Sequence, residues 1–351
     1  MTLPVPLWQP SADRIDKAGI TRLQRWLAAE RGLHFDSYEA LWQWSVDDLE
    51  GFWGAIWDFC GVKSHSPYSR VLAEREMPHA KWFPGATLNY AEHMLAFARR
   101  PDAGTRLALV FQSELCPRTE ITWAQLAATT GALTATLTRL GVAQGDRVVG
   151  YLPNIPEALA SLLAVASMGA IWSSSSPDMG PVSVLDRFRQ IEPKVLIAVD
   201  GYRYGGKDFD RRGTLLELVA QLPSVQTVVL VSSLDPAATM EAVEPTGQAG
   251  RRVAVVPWAQ AVAAPAAPVF RAVPFDHPLW IVYSSGTTGM PKPIVHGHGG
   301  TVIENLKAGI CHFDIGEHDR FFWFSSTNWV MWNLWASTLM PGCTAIQFAG
   351  T

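Results

Sequence analysis

The sequence has little cysteine. Four residues, at 60, 116, 311 and 343, form no C-x-x-C pair and no spacing that reads as a disulfide framework. Such sparse thiols suit a reducing compartment, and the chain is read as cytoplasmic. Long apolar runs are also lacking: the longest, Ala158 to Trp172, is interrupted by Ser161, Ser167 and Gly169 and falls short of the ~18 residues that a membrane span needs. Met1 to Gly19 carries scattered prolines and charges where a signal peptide would carry a continuous apolar stretch. There is no basic excess, since 28 Lys and Arg stand against 32 Asp and Glu, and this balance argues against nucleic acid as a partner. No internal repeat of fixed period occurs.

What is present is an ordinary globular composition, 48% hydrophobic and 17% charged over 351 residues, enough for one large core or two smaller ones. Tryptophan is abundant. Its clusters, Trp42, Trp44, Trp53, Trp57 and Trp323, Trp329, Trp332, Trp335, are expected in core packing. Residues 1–100 read as a helical, aromatic-rich leader, with Leu41, Trp42, Leu49, Trp53, Ile56 and Trp57 near helical period across Tyr38 to Phe59. Over 101–351, and clearly from Arg106, short apolar strands alternate with amphipathic helices, which predicts an α/β domain with a largely parallel sheet.

Thr122 and Gln125 can form a capping box, Leu126, Leu133, Leu137 and Leu140 share one face, and Gly141 suits the residue after the helix. Strands are expected at 146–152, 170–173, 194–199 and 343–348, and helices at 156–169 and 182–191. The Ala-, Pro- and Gly-rich stretch 231–270 reads as a loop-rich surface excursion, with a subdomain boundary near Pro274.

The chemistry concentrates in Leu279 to His296, an apolar strand running into Ser284-Ser285-Gly286-Thr287-Thr288-Gly289 and then Pro291-Lys292. Hydroxyls and backbone amides supply donors, Gly286 and Gly289 permit φ > 0 and close approach of an anion, and Lys292 adds a point charge. A polyphosphate is the matching ligand. The loop contains neither G-x-x-x-x-G-K-[ST] nor G-x-G-x-x-G, so neither of those nucleotide folds is indicated. His296 and His298, with Cys311 and His312, match no common zinc spacing, and no metal ligand is assigned among the side chains.

Tyr283 to Lys292 resembles the phosphate-binding signature of the adenylate-forming superfamily, which includes acyl-CoA synthetases, luciferases and peptide-synthetase adenylation domains. Trp82 to Tyr90, Tyr151 to Glu157 and Gly169 to Asp178 narrow the resemblance to the acetyl-CoA and acetoacetyl-CoA synthetase branch. Within that branch, the runs Trp82 to Gly85, Ile171 to Asp178, Ile294 to Gly300 and Trp329 to Asn333 are more similar to the acetoacetyl-CoA group. The resemblance implies the N-terminal large domain of the adenylate-forming fold, with layered α/β sheets and helices. It implies ATP, Mg²⁺ and coenzyme A as cofactors and acetoacetate as the acid, activated through an acyl adenylate with release of pyrophosphate and AMP.

Carried over by position, Ser284 to Gly289 and Lys292 would hold the ATP phosphates, with Lys292 catalytic. Arg203 would meet a coenzyme A phosphate, and Trp329, Val330 and Met331 would line the acyl pocket. The magnesium would ride on the ATP phosphates. Two positions depart from the pattern: Pro293 replaces a small residue, and Asn328 stands where glycine is common. Later family motifs, the adenine- and ribose-binding segments and the mobile C-terminal domain, do not occur in these 351 residues, so the expectation is an incomplete chain that is inactive on its own. The alternatives are another short-chain acyl-CoA synthetase and a non-catalytic module that keeps the fold. The oligomeric state stays open.

Overall fold

A computed structural model describes residues 7–240, 252–284 and 289–351. Helices α1 (Ala12–Lys17), α2 (Gly19–Arg31), α3 (Tyr38–Asp47) and α4 (Leu49–Phe59) come first. The expected single helical stretch from Tyr38 to Phe59 is broken at Asp48, whose carboxylate accepts the Gly51 N–H at 2.9 Å and so caps α4. The leader is also less purely helical than its sequence suggests. It contains the short strands β1 (Leu72–Glu74), β2 (Lys81–Trp82) and β3 (Thr87–Leu88) before α5 (Tyr90–Met94).

The α/β part opens with β4 (Leu107–Ser113), β5 (Thr119–Thr122) and α6 (Trp123–Arg139). Both halves of the Thr122–Gln125 capping box are present, and Gly141 has φ +79° just past the helix end. Then follow β6 (Arg147–Tyr151), α7 (Pro156–Ser167), β7 (Ile171–Ser175), α8 (Pro181–Phe188) and β8 (Val195–Val199). A hairpin of β9 (Gly201–Tyr204) and β10 (Lys207–Asp210) leads to α9 (Arg212–Gln221), β11 (Thr227–Val231), β12 (Ala254–Pro257), α10 (Trp258–Ala261) and β13 (Val273–Pro274). The chain continues through β14 (Pro278–Ser284), β15 (Lys292–Gly297), α11 (His298–Lys307), β16 (Arg320–Phe322), α12 (Val330–Ser337) and β17 (Thr344–Ala349).

Among the described residues seven strands form the main sheet in the order β12-β11-β8-β6-β7-β14-β15, parallel except for β15, which runs antiparallel to β14. Its central strands are apolar on both faces, as a sheet covered by helices on each side requires. Val195, Ile197 and Val199 of β8 join the larger core with α6 and α7, while Leu196 and Ala198 point into a second core with Val184, Leu185 and Phe188 of α8 and Leu215 and Leu218 of α9. This alternation is the period-2 pattern of a strand. The leader has no separate interior, because Leu23, Leu27, Leu41 and Ile56 belong to the same cluster as Leu163 and Trp332. A second, four-stranded sheet runs β16-β17-β4-β5.

Two expectations are corrected. The 231–270 stretch is not only a surface loop: it supplies β12, the edge strand of the main sheet, and α10. No boundary falls at Pro274, since β12 before it and β14 after it lie in one sheet. The tryptophans also divide. Trp57, Trp332 and Trp335 are buried, whereas Trp42, Trp323 and Trp329 are exposed. Among the described residues no helix is long and apolar enough to cross a membrane.

Candidate functional site

Strand order places the site. From β6 the chain passes through α7 to β7 on one side, then returns through α8 to β8 on the other side of β6. Ligands of open α/β sheets bind outside the carboxyl ends of the strands where the order reverses in this way. A cleft of roughly 320 Å³ lies there, between Pro153, Asn154 and Ile155 after β6 and Ser176, Pro177 and Asp178 after β7. The ends of β4 and β17, through Ser113 and Phe348, form its opposite wall.

Asn154 ties the two sheets together. Its Oδ1 accepts Trp332 Nε1–H and Gln347 Nε2–H, each at 2.8 Å, and its Nδ2 donates to the Phe348 carbonyl at 3.1 Å. The segment before α12 is stitched to the same place, because Thr327 Oγ1 donates to the Leu152 carbonyl at 2.7 Å and Ser174 Oγ to the Thr327 carbonyl at 2.5 Å. One side of the cleft is aromatic: Tyr202 and Phe209 stack with centroids 5.1 Å apart.

The β14–β15 hairpin brings Ser284 opposite Lys292 at the carboxyl end of β14. Both are exposed, and Gly289 has φ +152°, which glycine tolerates. Ser285, Gly286, Thr287 and Thr288 lie outside the described residues. Pro293 pairs with Tyr283 on β15, an edge strand, where a missing backbone N–H is least disruptive.

Arg203 lines the cleft, but its guanidinium is held by Asp208, with Nε and Nη2 donating to the carboxylate at 2.6 and 3.0 Å. Trp329 and Val330 are exposed and Met331 half-buried at the start of α12. None of the three lines the cleft, although the Trp329 N–H donates to the carbonyl of cleft residue Ser326 at 3.0 Å. The structure therefore brings Arg203 and the 324–326 segment to one cavity, and sets the Ser284–Lys292 pair at the end of a neighbouring strand.

The two histidines of the hairpin region have packing partners. His296 Nδ1 accepts Trp280 Nε1–H at 2.9 Å, and burial lowers its pKa. His298 Nδ1 accepts the Tyr90 N–H at 3.1 Å; burial first, then His277 and His93 nearby, bring its pKa down to about 3. Sequence reasoning assigned no role to Asn154, Ser176, Asp178 or Tyr202. The Tyr151–Glu157 and Gly169–Asp178 runs were the available signal, since they include the carboxyl ends of β6 and β7 and the loops that follow them.

Comparison with known proteins agrees with this arrangement. Residues 97–351 match the family model described as AMP-binding enzyme, and residues 38–94 match the acetyl-coenzyme A synthetase N-terminus. The acetoacetyl-coenzyme A synthetase of Rhizobium meliloti is 39% identical over 99% of this chain and 51% of its own length. A malonamoyl-CoA synthetase of Penicillium aethiopicum is 33% identical over 98% of this chain and 48% of its own. The solved acetoacetyl-CoA synthetase from Streptomyces lividans superposes with a TM-score of 0.89 at 49% identity, covering 99% of this chain and 52% of that one. The chain thus spans about half the length of the relatives it matches. With most of its residues matched by that family's model and its cleft at the strand-order reversal, this chain belongs to the AMP-binding enzymes.

Proposed function

We propose that these residues serve an ATP-dependent ligase that joins acetoacetate to coenzyme A through an acyl adenylate, with release of pyrophosphate and AMP. The observation that carries the reading is the Ser284–Lys292 hairpin end, exposed at the carboxyl end of β14 beside the strand-order reversal. Ser284, Gly289 and Lys292, with Ser285, Gly286, Thr287 and Thr288, would hold the ATP phosphates, and Lys292 would offset charge that builds on them. The donor set fits a polyphosphate: hydroxyls, a glycine with positive φ and an exposed ammonium. Magnesium fits as an ion carried on the phosphate oxygens. The protein's contribution to such a reaction is orientation and electrostatic stabilisation.

Arg203 would take a coenzyme A phosphate only by sharing or releasing Asp208. Trp329, Val330 and Met331 would form part of the acyl wall, next to cleft residues 324–326. The acids in the relatives' names, acetoacetate and malonamate, both carry a carbonyl β to the carboxylate, which supports a 3-oxo acid of this size as the substrate class. The test is acid-dependent pyrophosphate release by the enzyme that carries residues 1–351, with acetoacetate, malonamate, acetate and propionate compared. Preference for the two 3-oxo acids supports the reading, and preference for acetate or propionate overturns it.

A further inference from the structure

The β9–β10 hairpin forms one wall of the cleft, and a side chain from the β4 wall holds its tip. We propose that Glu114 is a positioning residue that clasps the hairpin across the cleft and so fixes the place of Arg203 for the coenzyme A phosphate. The inference rests on the coenzyme A reading of Arg203 given above. Tyr202, Arg203 and Phe209 of the hairpin line the cleft, and so do Ser113 and Leu115, the residues on either side of Glu114. The Glu114 carboxylate accepts the Gly205 N–H on Oε1 at 3.0 Å and the Gly206 N–H on Oε2 at 2.7 Å.

The local sequence explains both sides of this contact. Gly205 and Gly206 have φ +60° and +70°, as a two-residue hairpin loop that suits the strand twist requires. The ladder closes at Tyr204 and Lys207, so the two glycine amides have no strand partner, and a carboxylate is the natural acceptor for two successive N–H groups. Glu114 is held ready for them. Its own N–H donates to the Ala349 carbonyl at 3.2 Å, and Ser113 Oγ accepts the Leu115 and Cys116 N–H groups at 3.1 and 3.0 Å. The Thr351 N–H joins Oε1 at 2.9 Å. Hydrogen bonds from Gly206, Thr351 and Gly205 outweigh burial and hold the carboxyl below its ordinary range, so it is ionised at neutral pH. The root of the hairpin is anchored separately, by the Tyr202–Phe209 stack and by Arg211 over both rings. Among the described residues no other side chain hydrogen-bonds Gly205 or Gly206. Arg203 stands between root and tip, so the place of its charge in the cleft follows where Glu114 holds the tip.

The experiment separates the two half-reactions in the enzyme that carries residues 1–351, with acetoacetate as the acid. Glu114→Ala should raise KM for coenzyme A about tenfold, while acid-dependent ATP–pyrophosphate exchange, measured without coenzyme A, stays within about twofold of wild type. Glu114→Gln keeps one accepting oxygen at the same reach and should raise that KM about threefold; it takes the place of the alanine variant should that one fail to fold. Hydrogen exchange at Gly205 and Gly206 should be faster in both variants, a readout independent of turnover. Arg203→Gln tests the underlying reading and should raise the same KM. If Arg203→Gln raises it and the Glu114 variants do not, the inference falls and the coenzyme A reading stands. If Arg203→Gln leaves it unchanged, both fall. Equal losses in pyrophosphate exchange and thioester formation would make Glu114 a structural residue, and unchanged hydrogen exchange at the tip would make it no clasp; either result overturns the inference.

Discussion

Glu92 is buried on α5, and its carboxylate is met by three basic side chains: Lys63 Nζ at 2.7 Å, His65 Nε2 at 2.6 Å and Arg99 Nη2 at 3.0 Å. Burial alone would push its pKa up; the hydrogen bonds from Lys63, His65 and Arg99 outweigh that and hold it down at about 2, against an ordinary 4.5. The gap corresponds to an upper bound of roughly 3 kcal/mol at ~1.4 kcal/mol per tenfold. The partners are half exposed, so screening by solvent reduces the expected contribution to about 1–2 kcal/mol. For an acid whose folded pKa is depressed, this stability is fully present above about pH 4.5 and is lost as pH falls towards about 2. Urea unfolding of wild type and Glu92→Gln from pH 7 down to about pH 3.5 should therefore give a stability difference that is constant at neutral pH and narrows below the ordinary carboxylate range. A difference that stays constant across that range, or none at neutral pH, would refute the reasoning.

Other outcomes follow from packing and charge. A Cβ at Gly299 would lie 2.1 Å from the Phe275 ring, which packs in turn against Phe83 and Trp57, so Gly299→Ala should destabilise by about 1–3 kcal/mol in thermal unfolding. Thr122→Ala removes the capping-box side chain of α6 and should lower stability by about 1 kcal/mol, measured by denaturant midpoint. Asp208→Asn releases the Arg203 guanidinium from its carboxylate and should tighten coenzyme A binding about three- to tenfold at low salt in calorimetry; unchanged affinity would count against Arg203 as a phosphate contact.

Local signals in the sequence carried much of the fold. The Thr122–Gln125 box and Gly141 mark α6 at both ends because capping is a matter of neighbouring residues. The apolar run at 194–199 read as a strand, and β8 stands there, buried on both faces in the interior of the sheet. Strand order was not legible, since it depends on which helix crosses which face, and β12 was hidden in a stretch dominated by Ala, Pro and Gly that pairs only because β11 offers it an edge. The break at Asp48 was missed because apolar spacing continues across it while the carboxylate caps a new helix. At the site, the hydroxyl- and glycine-rich run suggested phosphate binding by its chemistry alone, which is the reading proposed above. The cleft residues Asn154, Tyr202 and Phe348 come from the loop after β6, from β9 and from β17, so their proximity belongs to the tertiary fold.

The central claim is that the β14–β15 hairpin end binds the phosphates of ATP. The direct measurement is calorimetry of MgATP with residues 1–351, wild type beside Lys292→Ala, at low salt. The account predicts measurable binding that Lys292→Ala weakens by about tenfold or more, as expected for loss of a charge-assisted phosphate contact. Equal affinity of the two proteins for MgATP would contradict it.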